Sequence, residues 1–487
     1  MPVLSYGRAI TWHAERTPDR VALVHEGRKR SWAELDARSN RLARAYAEQG
    51  VGVGDLVTIG LPNGCEFFEA AAAAWKLGAT PQPVSARLPK LERRAIVNAA
   101  GPALVVGVPK DEFPNRPTLP LGYEPPATLS DAPLPDVTPP QVRCMTSGGS
   151  TGLPKLILDL TPGNVDPEVA VNGMRRGGVT LVAGPLYHAG PFITSWQCLL
   201  AGGSAVVMTR FDAAQALALI EKHRIEWVLF VPTMMQRIWR LPKQERERHD
   251  LGSIVRVMCT GAPSPAWLKQ AWIDWIGPER VWESYGGSER IAGTQIGGVE
   301  WLDHPGSVGK PTEGRKIRVL RPDGSECEPG EVGEIYMMPA GGQGTTYRYI
   351  GAEMPATGDG WETLGDLGHR DEEGYLYLAD RKSDMIVTGG ANVYPAEVEA
   401  ALDAHPAVRS SAVVGLPDDD LGQRIHAIVD APEANATEDA MREHLAEHLV
   451  RYKVPRSFEF VTHVLRDDAG KLRRSALRDA RIAEQPS

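Results

Sequence analysis

Cysteine is scarce in this sequence, and its distribution argues against two kinds of small, cross-linked scaffold. Only 5 of the 487 residues are cysteine, and no two of them stand in a Cys-x-x-Cys pair. A zinc ribbon requires such pairs, and a disulfide framework requires a much higher density of cysteine. We therefore expect a protein of a reducing compartment that is stabilised by its hydrophobic core.

An excess of positive charge and long apolar runs are also missing. The 53 Lys and Arg residues are outnumbered by 62 Asp and Glu residues, which gives a formal net charge of −9. This balance argues against a general affinity for nucleic acid or for anionic membranes. No apolar run is long enough to span a bilayer, and neither end shows a signal peptide, lipidation or peroxisomal pattern. We expect a cytoplasmic protein that does not insert into membranes.

Serine, threonine and glycine are concentrated in residues 146–155, which read TSGGSTGLPK. Backbone N–H groups and hydroxyls of such a segment converge on a polyphosphate, and glycine allows a close approach. Lys155 would add a point charge. The spacing is not that of the P-loop, G-x-x-x-x-G-K-[ST], because Lys155 comes three residues after Gly152. On composition alone, a flexible surface loop is an equal alternative.

Strand and helix patterns alternate along the first 380 residues. Ser31 and Glu34 form a capping box that opens a helix, and Gly50 ends it. Further helices are predicted over 69–77 and from the cap Asp212 to residue 223. Strands are predicted at 56–60, 227–231 and 255–260, and the proline-rich residues 108–140 form a surface connection. This alternation implies largely parallel sheets with ligand loops at the carboxyl ends of their strands.

A chain of 487 residues is too long for one ordinary core, so two or more domains are expected. After Asp380 the pattern changes to two strands at 411–414 and 425–429 and a helix near 437–450. We predict an α/β fold with a large N-terminal domain over 1–380, whose mostly parallel sheets are flanked by helices. A hinge at 381–383 and a small, mobile α+β domain over 384–487 follow.

Five segments resemble, in the same order, blocks of the adenylate-forming superfamily of acyl-CoA synthetases, peptide-synthetase adenylation domains and firefly-type luciferases. Residues 146–155 resemble its phosphate loop, and 283–289 (ESYGGSE) its Y-G-x-T-E block. Residues 365–368 (GDLG) resemble its ribose block, 379–399 the opening of its small domain, and 470–473 (GKLR) its catalytic-lysine block. The resemblance covers nearly the whole chain and implies ATP, Mg²⁺ and CoA as cofactor and cosubstrates.

The resemblance also implies a role for each motif residue. The phosphate loop would contribute Thr146, Ser147, Gly148, Gly149, Ser150, Thr151, Gly152 and Lys155 to ATP binding. Adenine would stack on Tyr285, with Gly261, Ala262 and Pro263 as the opposite wall. The remaining ATP contacts would come from Gly286, Ser288, Asp366 at the ribose hydroxyls, and Arg381.

The reacting groups would be met by other residues. Glu289 would hold Mg²⁺, and Lys471 would bridge the attacking carboxylate and the α-phosphate. His188, within the segment PLYHAG, would border the acyl and pantetheine channels and count as catalytic with Lys471. The acyl pocket would include His188, Gly286 and Gly287, whereas Gly389 and Gly390 would face the CoA channel and Ser383 would be the hinge.

Each of these residues has a plain structural alternative when taken alone. Tyr285 fits a common Tyr-Gly-Gly turn, and Asp366 fits a turn aspartate. Lys471 fits a solvated surface lysine, and His188 a buried, hydrogen-bonded histidine. The order of the blocks favours the functional interpretation of all four.

The segment His444-Leu-Ala-Glu447-His448 fits a zinc-peptidase pattern, H-x-x-E-H. Two histidines four residues apart share a helix face, so metal geometry is feasible. The segment lies in a charged helix of the small domain, which favours a solvated amphipathic face over a zinc hydrolase.

Two positions depart from the family pattern. Ser383 stands where Asp or Lys is usual at the hinge, and Leu465 stands where proline often opens the catalytic-lysine block. Neither change removes a reacting group, because a hinge residue needs only to absorb backbone rotation.

We therefore predict an AMP-forming acyl-CoA ligase, and a free-standing enzyme that loads a carrier protein is the alternative. A luciferase-like oxygenase and a non-catalytic nucleotide-binding protein are further alternatives, and a homodimer is left open. The region of the expected acyl pocket is rich in glycine (Gly286, Gly287, Gly293, Gly297 and Gly298), and such small residues leave volume where they do not serve turns. Residues 301–309 look most like bacterial ligases for bile-acid, steroid-side-chain or diterpenoid acids. A bulky, apolar, ring-bearing acid is the predicted substrate.

Overall fold

The computed structural model describes residues 3–147, 155–353, 356–432, 436–468 and 470–484, with the side chain of Ser147 excepted. Helices and strands alternate through most of this length. The α-helices are α1 (Tyr6–Arg16), α2 (Trp32–Glu48), α3 (Cys65–Lys76), α4 (Lys90–Ala100), α5 (Ala189–Leu200), α6 (Ala213–His223), α7 (Pro232–Trp239), α8 (Lys243–Glu247), α9 (Ala266–Ile276), α10 (Gly298–Trp301), α11 (Pro395–Ala404), α12 (Glu438–His448) and α13 (Arg474–Ala483).

The strands of the first half of the chain are β1 (Leu4–Ser5), β2 (Val21–His25), β3 (Arg28–Ser31), β4 (Leu56–Ile59), β5 (Thr80–Pro83), β6 (Leu104–Val106), β7 (Thr118–Leu119), β8 (Arg143–Ser147), β9 (Lys155–Asp159), β10 (Asn164–Val165), β11 (Val179–Val182), β12 (Ser204–Val207), β13 (Trp227–Phe230) and β14 (Arg256–Cys259). Those of the second half are β15 (Val281–Gly286), β16 (Gly293–Gly297), β17 (Ser307–Pro311), β18 (Lys316–Leu320), β19 (Gly333–Met338), β20 (Tyr347–Ile350), β21 (Glu362–Arg370), β22 (Leu376–Arg381), β23 (Ile386–Thr388), β24 (Ala391–Val393), β25 (Ser410–Asp418), β26 (Gly422–Asp430) and β27 (Ser457–Val461).

The largest sheet has two halves of different topology. Its strand order is β18-β19-β21-β22-β17-β16-β15-β14-β13-β11-β12-β2-β3. The run from β2 through β12, β11, β13 and β14 to β15 is parallel. Beyond β15 the pairing is antiparallel, through β16, β17, β22, β21 and β19. The alternation of helices and strands predicted the parallel half, and the antiparallel half was not foreseen.

Smaller sheets complete the large domain around this one, among them the antiparallel pair of β1 and β10. The order β5-β4-β6-β7 forms a second sheet that is parallel throughout. The order β20-β9-β8 forms an antiparallel sheet. Strands β8 and β9 are the two arms of a hairpin whose connection is the predicted phosphate loop.

Helices on the sheet faces bury aromatic side chains. One core joins α2, α3 and α5 through Trp32, Phe68, Trp75 and Trp196, which are at most 2% exposed. A second core joins the parallel strands to α7 and α9 through Phe230 and Trp272. Burial of such large apolar side chains is the main stabilising contribution to folding.

Local signals placed several helices correctly. Ser31 and Glu34 form the expected capping box at the start of α2, and Asp212 accepts from the N–H of Gln215 at the start of α6. The helix predicted over 69–77 begins earlier, at Cys65, where Gly64 is the N-cap without a side-chain cap hydrogen bond. Residues 108–140 are mainly an irregular connection, with the short strand β7 added to the parallel sheet.

The small C-terminal domain has its own sheet and core. Strands β25 and β26 pair over nine residues each, and β27 lies parallel to β26. Its core includes Val398, Leu402, Val413 and Leu445, each fully buried, which come from α11, β25 and α12. Both predicted strands and the predicted helix are confirmed here, with the strands longer than expected.

In the part of the chain that the structure describes, no helix combines the length and the apolar character that crossing a bilayer requires.

Candidate active site

The candidate site lies where the parallel half of the large sheet meets the antiparallel half. Strand β15 is the last parallel strand and ends with Tyr285 and Gly286. Beside it, β14 ends at Cys259, and Thr260 donates its hydroxyl to the carbonyl of Ser284 at 2.8 Å. Gly261 then turns the chain with φ of +90°, a conformation that favours glycine. This edge is where ligands bind in open α/β sheets.

Tyr285, Asp366 and Arg381 converge from three strands. The Tyr285 hydroxyl donates to Asp366 Oδ2 at 2.8 Å, and Arg381 Nε lies 3.5 Å from Asp366 Oδ1. Strands β21 and β22 pair so that Asp366 lies opposite Arg381. The sequence predicted all three residues as nucleotide contacts, and the register brings them together although up to 96 positions separate them in the sequence.

Burial shapes the ionisation of this group. It raises the pKa of Asp366, and Arg381 and the Tyr285 hydroxyl counteract that rise. Burial also raises the pKa of Tyr285 well above its usual range, and the Asp366 charge adds to this rise. Tyr285 is therefore a neutral hydrogen-bond donor across the physiological pH range, and Asp366 is an acceptor whose second oxygen faces Arg381.

Glu289 is presented by a turn that directly follows β15. The N–H of Arg290 bonds to the carbonyl of Gly287 at 3.1 Å, which closes the turn. Glu289 is only 9% exposed, and its Oε1 accepts from the Tyr349 hydroxyl at 2.8 Å. Lys155 Nζ lies 5.6 Å from the centre of the Tyr349 ring. Tyr349 thus links the glutamate to the base of the predicted phosphate loop.

Tyr349 was missed by reasoning from the sequence. It lies on β20, which pairs with β9 so that Tyr349 is opposite Ile157. No local motif surrounds it, because the pairing of β20 with β9 joins segments almost 200 residues apart. The only indication in the sequence is that Tyr349 is a tyrosine, a residue type that suits a half-buried hydrogen-bond donor.

The predicted phosphate loop is only partly described. Ser147 pairs with Lys155 at the end of the β8–β9 hairpin, and Thr146 pairs with Leu156. The predicted contacts Gly148, Gly149, Ser150, Thr151 and Gly152 lie outside the described residues, as does the side chain of Ser147.

Lys471 reaches the same cleft from the small domain. It lies on a tight turn in which its N–H bonds to Asp467 Oδ1 at 2.9 Å and its carbonyl accepts from the Asp467 N–H at 3.0 Å. Burial in the cleft lowers the pKa of Lys471, and so does Arg381, whereas Asp467 and Glu289 raise it. The residue is nevertheless exposed to solvent. The structure therefore brings Lys471 within electrostatic range of both Arg381 and Glu289.

Gly470 allows the Lys471 turn to pack against the large domain. A Cβ on Gly470 would lie 2.2 Å from Thr233 Oγ1 and 3.1 Å from Val231 Cγ2, at the start of α7. Its φ of +75° also favours glycine. A glycine is thus required at this position by both the backbone and the contact.

Polar contacts between the domains surround this packing. Arg87 pairs with Asp468 at 2.6 Å, and Arg240 donates to the carbonyl of Asp403 at 2.9 Å. Gln236 donates to the same carbonyl at 3.2 Å. Since the Arg87 and Asp468 side chains are about half exposed, such a pair contributes little to stability.

His188 is the N-cap residue of α5 and lies within electrostatic range of Lys471. Burial lowers the pKa of His188 to about 3, and the Lys471 charge adds to this effect. Its Nε2 is buried and has no hydrogen-bond partner among the described residues. His188 is consequently a neutral imidazole with one nitrogen directed away from protein partners, and it does not fit the alternative of a fully hydrogen-bonded core histidine.

The glycines that suggested a roomy acyl pocket have a different explanation. A Cβ on Gly287 would lie 2.6 Å from Glu289 Oε2 and 2.8 Å from Leu364 Cδ1. On Gly293 it would lie 2.9 Å from the Tyr285 carbonyl oxygen, and on Gly298 2.5 Å from that of Pro278. Gly293 thus allows close packing within the β15–β16 hairpin, whereas Gly287 and Gly298 accommodate Leu364 and Pro278. Protein atoms occupy the space beside these three glycines, so their number says nothing about substrate size.

Two further groups noted in the sequence belong to the small domain. Gly389 and Gly390 form the turn between β23 and β24 with φ of +55° and +81°, and Gly389 bonds to Leu421 of the small domain. In the zinc-peptidase pattern, His444 and His448 bond to backbone carbonyls. Among the described residues, no group of three His, Cys, Asp or Glu side chains is arranged to hold a metal ion.

Comparison with known proteins places this geometry in a family. Residues 10–349 match the AMP-binding enzyme family, and residues 397–471 match the AMP-binding enzyme C-terminal domain. The chain belongs to the AMP-binding enzyme family.

Similar proteins match over almost the full length. A feruloyl-CoA synthase of Amycolatopsis sp. is 31% identical over 96% of each chain. The fatty acid–[acyl-carrier-protein] ligase ScoC of Streptomyces coeruleorubidus is 30% identical and covers 97% of this chain and 95% of its own. The o-succinylbenzoate CoA synthetase MenE from Bacillus subtilis, solved with the acyl-adenylate OSB-AMP, superposes with a TM-score of 0.83 and 27% identity over 98% of this chain and 99% of its own. The same enzyme has been solved with ATP and magnesium.

Proposed function

We propose that this protein is an ATP-dependent acyl-CoA ligase: carboxylate, ATP and CoA give acyl-CoA, AMP and pyrophosphate. The observation that carries the proposal is the position of Lys471, which enters the cleft of Tyr285, Asp366 and Arg381 from a second domain. A nucleotide site alone does not require a lysine from a separate domain. Joining two anions does, because their repulsion must be neutralised as they meet.

In the first half-reaction, the carboxylate oxygen attacks the α-phosphorus of ATP, a P–O bond forms, and the bond to pyrophosphate breaks. Lys471 would contact the attacking carboxylate and the α-phosphate, where charge is redistributed. Asp366 would accept from the ribose hydroxyls and Arg381 would reach the ribose or the phosphates. The pre-aligned hydrogen bond from Tyr285 holds Asp366 in place, so the nucleotide is oriented before reaction.

Glu289 is suited to hold Mg²⁺ with ATP. Its carboxylate is buried, a single hydroxyl fixes Oε1, and Mg²⁺ is bound at phosphate sites by one or two carboxylates together with phosphate oxygens. The ion would neutralise phosphate charge when bound. Tyr349 keeps the carboxylate directed toward the base of the phosphate loop, where Lys155 lies.

In the second half-reaction, the CoA thiolate would attack the acyl carbonyl and AMP would leave. A neutral His188 beside Lys471 is placed to border the acyl and thiol channels. We place the hinge at 381–383 between a large domain over 1–380 and a small domain over 384–487. In support, Arg381 and Asp384 are joined by a backbone turn with Ser383 inside it. Rotation there would turn Gly389 and Gly390 toward the channel.

The proposed acid bears a ring. Support comes from the similar proteins whose names specify feruloyl and o-succinylbenzoate groups. The finer proposal of a bulky, polycyclic acid rests only on the likeness of residues 301–309 to bile-acid, steroid and diterpenoid ligases. Transfer to a carrier protein is the second candidate, because ScoC, named a carrier-protein ligase, matches at similar identity.

Acid-dependent AMP formation tests the function. The purified protein is incubated with ATP, Mg²⁺ and a panel of a polycyclic acid, a hydroxycinnamate, a benzoate, palmitate and acetate, with and without CoA. The proposal expects pyrophosphate release with at least one ring-bearing acid and acyl-CoA only when CoA is present. Pyrophosphate release without thioester would indicate a carrier protein as acceptor. A preference for palmitate or acetate would overturn the proposed substrate class. If no acid caused pyrophosphate release, the assignment of ligase activity would be overturned.

A further inference from the structure

Glu399 is a buried carboxylate that the reaction described above does not use. It lies on α11 with a side chain only 5% exposed. Arg474 binds it through both donors, Nε to Oε1 at 3.0 Å and Nη2 to Oε2 at 2.7 Å. Arg466 Nη2 donates to Oε2 at 3.4 Å, and the N–H of Val413 donates to Oε1 at 2.9 Å. One carboxylate thus receives two arginines and a backbone donor.

The two arginines stand on either side of the Lys471 turn. Arg466 comes five residues before Lys471 and Arg474 comes three residues after it. Arg466 and Leu472 form an antiparallel bridge that closes the turn. Arg466 Nη1 also donates to the carbonyl of Gly470 at 3.3 Å. The segments on both sides of the turn, one carrying Arg466 and the other beginning α13 at Arg474, are therefore held by Glu399.

The same cluster reaches the predicted hinge. Arg474 Nη1 donates to Asp384 Oδ2 at 2.9 Å. The N–H of Asp384 bonds to the carbonyl of Arg381 at 3.0 Å, and Ser383 Oγ donates to Asp384 Oδ1 at 3.1 Å. Arg474 is thus shared by α11, the Lys471 turn and the segment that leaves the large domain.

We propose that Glu399 is a positioning residue for the adenylation half-reaction, which holds the Lys471 turn at a fixed place relative to the hinge. The proposal rests on the proposed function, since it assumes that Lys471 acts in that step. The bidentate geometry fixes direction as well as distance, and the carboxylate that accepts these bonds is almost fully buried. Without the carboxylate, the turn loses its shared anchor while the core of the small domain, formed by Val398 and Leu402 on the same helix, is unchanged.

The test compares the two half-reactions in Glu399→Gln. Pyrophosphate exchange with ATP and acid should fall by about 10–100-fold, since a displacement of about 1 Å can lower a rate by that amount. Thioester formation from presynthesised acyl-adenylate should change by less than about 3-fold. The proposal would be overturned if the rates of both half-reactions fell equally, or if the rate of pyrophosphate exchange did not fall.

A milder variant guards against unfolding of the small domain. Removing one partner of a buried ion pair is strongly destabilising. Arg474→Lys keeps the charge but cannot bind both oxygens in one plane, and it should show the same split between half-reactions with a smaller loss. Glu459→Gln is the matched control, because Glu459 binds Arg481 through two donors in the same domain. Glu459 and Arg481 are not in the Glu399 cluster, so this variant should leave both half-reactions within about 2-fold of wild type.

Hydrogen–deuterium exchange gives a readout that does not depend on turnover. Backbone amides of residues 466–474 should exchange faster in Glu399→Gln than in wild type, whereas those of β26, which do not bond to Glu399, should not. Unchanged exchange in 466–474 would overturn the positioning role even if activity falls. Wild type could show no acid-dependent pyrophosphate release while hydrogen–deuterium exchange of residues 466–474 still rises in Glu399→Gln. In that case the proposed function fails, and the anchoring of the turn by Glu399 stands.

Discussion

Tyr285 and Asp366 lie on one continuous sheet, whereas Lys471 enters the same cleft on a turn of the small domain. The sheet side is organised by strand pairing, and a 2.8 Å hydrogen bond joins its two key side chains. The Lys471 side depends on packing of Gly470 against Thr233 and on half-exposed polar contacts such as Arg87 with Asp468. One side of the site is therefore rigidly built, and the other is held by a docking contact.

This difference suits a two-step reaction. Residues that bind the nucleotide must remain in place through both half-reactions, and backbone pairing supplies that permanence. A residue needed in only the first step can be carried by a domain whose docking contacts are small and polar, because such contacts break at low cost.

Removing the docked side chain should have the largest effect. Lys471→Ala should lower pyrophosphate exchange by about 10²–10³-fold or more, the usual loss for a contact that stabilises transition-state charge. Thioester formation from presynthesised acyl-adenylate should survive much better. Single-turnover assays of the two half-reactions measure this, and equal losses would contradict the assignment of Lys471 to the first step alone.

Blocking the docking contact should come next. In Gly470→Ala the new Cβ would lie 2.2 Å from Thr233 Oγ1, so the turn cannot approach α7 as it does here. We expect a loss of about 10²-fold in pyrophosphate exchange. Gly422→Ala is the matched control, since Gly422 has a similar φ of +77° but open space around its Cβ. Comparable losses in both variants would mean that backbone strain, and not docking, is responsible.

The small domain should also respond to pH through Asp403. Burial raises the pKa of this carboxyl to about 6, from an ordinary value of 3.8. The folded state therefore binds its proton more tightly than the unfolded state, so this group's stabilisation is present below about pH 4 and is lost as pH rises to about 6. The unfolding free energy of wild type relative to Asp403→Asn should fall by roughly 1–3 kcal/mol over that range. Thermal denaturation at pH 4 to 8 measures this, and a flat difference would contradict it.

The sheet side should yield the smallest effect. Tyr285→Phe removes the hydroxyl that orients Asp366, and a net hydrogen bond contributes about 0.5–1.5 kcal/mol. ATP should bind about 2–10-fold more weakly by titration calorimetry. Tyr377→Phe, which removes a hydroxyl donated to Asp371 at 3.1 Å in the same sheet, is the control and should bind ATP as wild type does. Unchanged affinity in Tyr285→Phe would mean that strand pairing alone holds Asp366.

Much of the site could be predicted because its chemistry is concentrated in short motifs. Gly470 and Lys471, the Tyr285 block and Asp366 each stand in a recognisable segment, and the structure brings Tyr285, Asp366, Arg381, Glu289 and Lys471 into one cleft. The glycines between residues 286 and 298 suggested a large acyl pocket. The sequence alone could not test this, because a glycine that leaves room and a glycine that allows close packing are the same residue type. Only the neighbouring atoms tell them apart.

The features that could be predicted from the sequence alone are local ones, such as helix caps. Caps such as Ser31 with Glu34 and Asp212 depend on hydrogen bonds between residues three apart, so they can be read directly. The register that puts Asp366 opposite Arg381, the Tyr349 bond to Glu289 and the sharing of Glu399 by Arg466 and Arg474 were decided only by tertiary structure. Such contacts join segments whose separation in sequence carries no distance information, because they form only when whole strands and helices have packed.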